Sequence, residues 1–153
     1  MSAADPQHPF AALLGRWQTT GTVLDDAGAP AVAVEGTDEY ELMVGDRWVV
    51  HRVDVRLGPD RARALELIGD HDPQARTWAM HAFDADGSYS LMRASRRPDG
   101  SWLFAADEVR AGLRVHADGR SMSATWERWM PPDRWLRWMD LRFERQNVCQ
   151  PTG

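Results

Sequence analysis

The sequence predicts an all-β fold: a closed antiparallel up-and-down barrel of about ten strands, preceded by one short helix. Short runs of alternating apolar and polar residues follow one another, and turns rich in Gly, Pro and Asp separate them. Such short links force neighbouring strands to pair antiparallel. Because no long helical pattern exists to cover a sheet, a meander of this length best hides its edges by closing on itself. Eight tryptophans, spread over most of the runs, are wide enough to fill a core or to line a cavity.

Each element has its own signal. Residues 10–14 can form a short helix that ends where Gly15 permits a left-handed C-cap. Period-two alternation then predicts the strands. They are expected near residues 16–24, 32–43, 47–57, 63–70, 77–84, 88–96, 101–106, 108–117, 121–130 and 134–145. We expect residues 1–9 to form a flexible leader, residues 10–146 a single barrel domain and residues 147–153 a C-terminal tail.

Alternation assigns the two faces of the third predicted strand. His51 and its aliphatic neighbours Val49 and Val53 alternate with Arg52 and Asp54. The first set is therefore expected inside the barrel, and an imidazole is carried inward with it.

Two other strands are less clear. Either of two sets could face inward in the strand at 77–84: Trp78, Met80 and Ala82, or Ala79, His81 and Phe83. In the last strand, alternation places Trp135 and Met139 inside and leaves Trp138 facing out or flanking the mouth.

Composition excludes several classes of partner. The net charge is −5 with both signs interspersed, so no basic face for nucleic acid is expected. No stretch approaches the roughly 20 apolar residues of a membrane span, and the start lacks the pattern of a secretory signal. Cys149 is the only cysteine, which excludes an internal disulfide framework. These features predict a cytoplasmic protein that contacts neither nucleic acid nor membrane.

Six segments of the chain stand in a familiar order and spacing. They are Leu13-Leu-Gly-Arg-Trp17, Gly36-Thr-Asp-Glu-Tyr-Glu41, His51-Arg-Val-Asp-Val55, Leu65-Glu-Leu-Ile-Gly69, Phe83-Asp-Ala-Asp-Gly87 and Ala124-Thr-Trp-Glu-Arg128. Together they resemble the bacterial DUF1579 family, which is similar to the calycins, the lipocalin and fatty-acid-binding superfamily. The resemblance implies a calycin-like barrel whose base is plugged by Trp17. It implies no activity, since the family has no settled one. The chain departs from the family's usual Ile-Gly-Tyr-Asp at Ile68-Gly-Asp-His71.

The inward His51 is the most suggestive single residue. A carboxylate within reach of a buried imidazole can tune it for proton transfer, so His51 and Glu66 are the candidate catalytic residues. The candidate ligand-binding residues are Tyr40, His51, Asp54, Met80, His81, Trp126 and Trp138. The alternative is a buried polar network that only fixes the register of the strands.

We expect no cofactor. Asp70-His71-Asp72 with His81 supplies metal-binding side chains, but their spacing matches no closed site. Nitrobindin-like haem barrels carry an axial histidine late in the chain, whereas residues 121–145 contain none. A haem ligand would have to be His51, His71 or His81.

Three functions are consistent with these features. The first is binding of a hydrophobic or aromatic small molecule in the barrel. The second is a cofactor-free cyclase or isomerase that holds a hydrophobic intermediate in one conformation and moves a proton. The third is an interaction module that forms a homodimer through its tryptophan-rich last hairpin, residues 121–145.

Overall fold

The computed structural model describes Asp5 and residues 7–147. The other positions of the predicted leader and tail, with Cys149, lie outside the described residues. One 3-10 helix, Ala11–Leu13, precedes ten strands. The strands are β1 (Gly15–Leu24), β2 (Pro30–Leu42), β3 (Val49–Leu57), β4 (Asp60–Asp72), β5 (Thr77–Asp84), β6 (Tyr89–Arg96), β7 (Trp102–Ala105), β8 (Val109–Val115), β9 (Ser121–Met130) and β10 (Arg134–Arg145).

The strands form one closed barrel in which each strand pairs antiparallel with its neighbours in sequence. The barrel closes where β1 pairs with β10, from Trp17 opposite Arg145 to Val23 opposite Met139. The predicted closed antiparallel barrel of ten strands is confirmed. None of the described residues forms a helix long and apolar enough to cross a membrane.

The predicted short N-terminal helix is present. It is a single 3-10 turn, and its C-cap is Leu14 in an extended conformation. Gly15 does have a positive φ of 118°, but it begins β1 instead of capping the helix. Only glycine adopts this backbone angle readily, so the residue turns the chain sharply from the helix into the barrel wall.

One end of the barrel is filled by aromatic side chains. Trp17 is fully buried there, and its indole N–H donates a 2.8 Å hydrogen bond to the carbonyl of Leu13. Phe10 stacks on Trp102 with ring centroids 4.6 Å apart. The guanidinium of Arg145 lies 4.2 Å from the centroid of the Trp17 ring. Trp17 therefore plugs this end, which we call the closed end.

The face assignments of β3 and β5 depend on where their side chains are buried. On β3, Val49 and Val55 are buried inside, whereas the side chain of Arg52 is 52% exposed. On β5, Met80 is buried and lines the interior, and Phe83 is 45% exposed on the outer face. The inward face predicted for β3 is thus confirmed. On β5, for which two inward sets were possible, the set that contains Met80 faces the interior.

The predicted phase of β10 is wrong for its first half. Its register against β9 shifts between Arg137 and Met139, the mark of a β-bulge that inserts one extra residue. Trp138 and Met139 consequently both line the interior. Trp135, on the other side of the bulge, stacks under the guanidinium of Arg110 instead of pointing inward.

Candidate functional site

The barrel encloses a cavity of about 270 Å³ in the half opposite Trp17. Its volume lies near the lower limit of ligand pockets, roughly 300–1,000 Å³. Most of its wall is apolar. The apolar lining residues are Val23, Val34, Val53, Val55, Leu57, Ala62, Ala64, Met80, Ala82, Phe104, Leu113, Ala124, Trp126, Trp138, Met139, Leu141 and Phe143. The turns at 25–29, 58–59 and 131–133 surround this end, which we call the mouth.

Four polar side chains lie together on the side of the cavity nearest the closed end. Nδ1 of His51 is 3.0 Å from Oε1 of Glu66, and Nε2 of the same ring is 2.7 Å from Oδ1 of Asp38. The hydroxyl of Thr19 donates to the other oxygen of Asp38. We call Thr19, Asp38, His51 and Glu66 the polar cluster. Strand register builds it, because His51 on β3 lies between Tyr40 on β2 and Glu66 on β4.

Tyr40 completes this part of the wall. Its ring stacks on the imidazole of His51, with centroids 4.0 Å apart and planes inclined by 7°. Burial, together with the nearby charges of Asp38 and Glu66, raises the pKa of Tyr40 well above its ordinary value. The phenol is therefore neutral and able to donate a hydrogen bond.

His51 is a cation at neutral pH. Burial by itself would lower the pKa of His51, but hydrogen bonds to Asp38 and Glu66 and the charges of both carboxylates raise that pKa to about 9. An imidazolium donates from both ring nitrogens. Each N–H of His51 thus has its own carboxylate, and neither nitrogen is free to accept a proton from a ligand.

Two oxygen atoms on the polar side of the cavity have no partner in the part of the chain that the structure describes. Within the described residues, Oε2 of Glu66 and the hydroxyl of Tyr40 have no hydrogen-bond partner, and neither is sealed from open space by protein atoms. Both side chains line the cavity, and each residue is less than one-tenth exposed. A ligand would meet these two groups as polar contacts on this side of the cavity.

The structure brings together most of the predicted site residues. Six line the cavity: Tyr40, His51, Glu66, Met80, Trp126 and Trp138. Two do not. Asp54 lies on the outer face of β3, where it accepts hydrogen bonds of 2.8 and 2.9 Å from Arg61. His81 lies on the outer face of β5, with Nδ1 2.8 Å from the hydroxyl of Tyr89.

Both misplacements follow from the two-residue period of a strand. Asp54 is three residues from the inward His51, and His81 is next to the inward Met80, so neither can share their face. Proximity in sequence to an inward residue does not bring these side chains to the cavity.

Sequence reasoning missed two members of the polar cluster, Thr19 and Asp38. Both are buried: Thr19 is completely buried, and Asp38 is only 5% exposed. A usable signal existed, because Val34, Asp38 and Tyr40 are separated by even numbers of residues on one strand. Placing Tyr40 inside therefore required Asp38 to lie inside as well.

The four tryptophans of the last hairpin divide between its two faces. Trp126 and Trp138 form an edge-to-face pair in the cavity wall, with centroids 6.4 Å apart. Trp129 and Trp135 form a second edge-to-face pair at 5.5 Å. The second pair lies outside the barrel, because the bulge shifts Trp135 out of phase with the inward Met139.

The metal-type side chains around Asp70 have structural roles. His71 stacks on Trp78 with centroids 4.5 Å apart, and the carboxylate of Asp72 accepts hydrogen bonds from the backbone N–H groups of Gln74 and Ala75. Across Asp5 and residues 7–147, no three His, Cys, Asp or Glu side chains are grouped so as to hold a metal ion.

Comparison with protein families gives a match over the half of the chain that holds the polar cluster. The model of a family described as protein of unknown function (DUF1579) matches residues 3–85, which include Trp17, Asp38, His51 and Glu66. The chain belongs to this DUF1579 family. The predicted membership is confirmed. Among curated proteins, no sequence matches this DUF1579 protein.

The solved structures that resemble this DUF1579 barrel include a phycobiliprotein lyase and a designed β-barrel. The S-type phycobiliprotein lyase CPES from Guillardia theta is 10% identical, covers 92% of each chain and superposes with a TM-score of 0.64. A de novo designed fluorescence-activating β-barrel is 15% identical, with 95% of this chain and 100% of the designed chain covered, at a TM-score of 0.48. At such low identity, the likeness to the lyase shows a shared fold.

Proposed function

We propose that this DUF1579 protein binds a hydrophobic or aromatic small molecule inside its barrel. The observation that carries the proposal is the combination of an apolar cavity of about 270 Å³ with one polar cluster on its inner side. Such a distribution is typical of ligand sites, where apolar contact supplies affinity and a few polar groups set orientation. The edges and faces of Trp126 and Trp138 offer a flat ring the geometry that aromatic pairs prefer.

Filling the cavity should abolish binding. Ala82 lines the cavity, and in Ala82→Phe a ring would take the volume that a ligand needs. Ala33→Phe is the matched control, because Ala33 is exposed on the outer face of β2. Hydrophobic and aromatic compounds would be screened by quenching of intrinsic tryptophan fluorescence, with both variants and the parent in parallel.

The proposal requires at least one compound that binds the parent and Ala33→Phe alike and loses affinity for Ala82→Phe. Equal binding to all three proteins would place the ligand outside the barrel. Absence of binding to the parent over a broad panel would contradict the proposal itself.

A cyclase or isomerase is the second candidate, and its proton-transfer group would be Glu66. His51 has a carboxylate on each nitrogen, so it positions Glu66 instead of acting as the base. Ligands found in the screen would be incubated with the protein in D2O and examined by NMR. Exchange of a carbon-bound proton that occurs with the parent and not with Glu66→Gln would support catalysis. Ligands recovered unchanged would support binding as the function and contradict catalysis.

The homodimer and the cytoplasmic location remain predictions. Trp129 and Trp135 are the surface pair that a dimer would use, and both are half-buried in the single chain. Light scattering at increasing protein concentration tests the dimer, and cell fractionation tests the location.

A further inference from the structure

One carboxyl oxygen of the cavity wall lacks a partner. Oε1 of Glu66 accepts from His51, whereas Oε2 faces the cavity without a hydrogen bond from any described residue. The whole residue is only 8% exposed. A carboxylate oxygen held in such a place loses much of its hydration, and a hydrogen-bonded or charged partner offsets that loss.

The charges of the polar cluster do not balance. The cluster contains two carboxyl groups, Asp38 and Glu66, and one basic group, the imidazole of His51, so its acidic groups outnumber its basic ones by one. No arginine or lysine is among the described residues that line the cavity. A buried charge without a counterion is costly, so the missing cation would have to come with the ligand.

The aromatic walls favour the same ligand chemistry. Tyr40, Trp126 and Trp138 line the cavity that Glu66 faces. The faces of such rings attract a cation within about 6 Å of the centroid. A carboxylate ligand, by contrast, finds no donor in the polar cluster, since both nitrogens of His51 and the hydroxyl of Thr19 already point at protein carboxylates.

We infer that the ligand of this cavity is an apolar or aromatic molecule that carries a positively charged nitrogen, which pairs with Oε2 of Glu66. This inference rests on the proposed function and assigns its ligand class. It distinguishes the site from one for fatty acids or other apolar anions, which would bring a second unmatched negative charge to Glu66.

Three probe compounds of nearly equal size test which ligand charge the cavity prefers. Naphthylmethylamine is a cation at neutral pH, ethylnaphthalene is neutral, and naphthoic acid is an anion. Isothermal titration calorimetry of the full chain at physiological salt should give a Kd for the amine about 10- to 100-fold below that for the hydrocarbon, the range of one hydrogen bond to a charged group. The acid should bind most weakly of the three.

The substitution Glu66→Gln tests whether the carboxylate of Glu66 pairs with the ligand's positive charge. The amide can still accept from His51 through its oxygen, but it removes the negative charge. We expect the amine to lose about tenfold or more in affinity and ethylnaphthalene to change by less than about twofold. Glu41→Gln is the matched control, since Glu41 is exposed on the outer face of β2, paired with Arg52. It should leave all three affinities unchanged.

The outcomes separate the two proposals. If ethylnaphthalene or naphthoic acid binds the parent as tightly as the amine, the cation inference is wrong and the binding function stands. The cation inference is also wrong if the preference for the amine persists in Glu66→Gln and falls in Glu41→Gln. The acidic outer surface would then be the cause of that preference. If none of the three binds and the broad panel gives no ligand either, the proposed function fails as well. Should Glu66→Gln fail to fold by circular dichroism, the parent series alone decides.

Discussion

The two halves of the barrel are built from the same ten strands, yet one is filled and the other is hollow. At the closed end, Phe10 stacks on Trp102, and the side chain of Trp17 is fully buried. Towards the mouth, alanines such as Ala64 and Ala82 occupy inward positions and leave space between the walls. Side-chain size, and not backbone geometry, therefore decides where the cavity lies. The polar cluster lies between the halves, directly above Trp17.

The largest effect should come from breaking the filled half. Trp17→Ala removes a fully buried indole, its hydrogen bond to the carbonyl of Leu13 and its stacking with Arg145. We expect the free energy of unfolding to fall by about 3 to 5 kcal/mol, the range for deleting a large buried aromatic. Urea denaturation followed by circular dichroism measures it.

Trp126→Ala is the control for the hollow half. Trp126 lines an existing cavity, so its loss enlarges empty space instead of opening new space in a packed core. Both substitutions should lower the free energy of unfolding, but Trp126→Ala should lower it less. We expect the two losses to differ by at least about 2 kcal/mol. Equal losses would mean that the two halves are packed alike.

The next effect concerns the polar cluster and depends on pH. The pKa of His51 is raised from 6.5 to about 9 on folding, by hydrogen bonds and charges that outweigh its burial. A folded pKa above the unfolded one stabilises the protein fully below about pH 6.5, and the contribution disappears as pH rises towards 9. At about 1.4 kcal/mol per pKa unit, the loss should reach about 3 kcal/mol.

The measurement is the free energy of unfolding across that pH interval. His51→Gln keeps a polar side chain but cannot ionise, so its stability should vary much less between the same limits. A parent protein whose stability stays flat from pH 6.5 to 9 would show that the two carboxylates do not hold the proton on His51.

The sequence was sufficient to predict the course of the chain. The turns rich in Gly, Pro and Asp marked all ten strands to within a few residues, because each hairpin needs backbone angles that those residues adopt readily. Strict alternation also placed His51 inside. Glu66, predicted as the carboxylate near it, is its neighbour on β4, and the second carboxylate at Asp38 follows from the sequence once Tyr40 is placed on the inner face of β2.

The sequence could not reveal the bulge in β10. Alternation assumes an uninterrupted period of two, and one inserted residue reverses every inward position on one side of it. The segment Arg137-Trp138-Met139 contains no glycine or proline to mark the irregularity. Trp135 therefore lies outside, against the prediction, and Trp138, expected to face out or flank the mouth, lies in the cavity wall.

The smallest effect tests that bulge with a matched pair of substitutions. Trp135 lies outside beside Arg110, and Trp138 lies in the cavity wall. Since phenylalanine preserves most of the aromatic area, Trp135→Phe and Trp138→Phe should each lower the free energy of unfolding by less than about 1 to 1.5 kcal/mol. Iodide quenching of fluorescence then separates them: the quenchable fraction should fall in Trp135→Phe and rise in Trp138→Phe, because each removes an emitter from a different face. The reverse result would restore plain alternation along β10 and remove Trp138 from the candidate site.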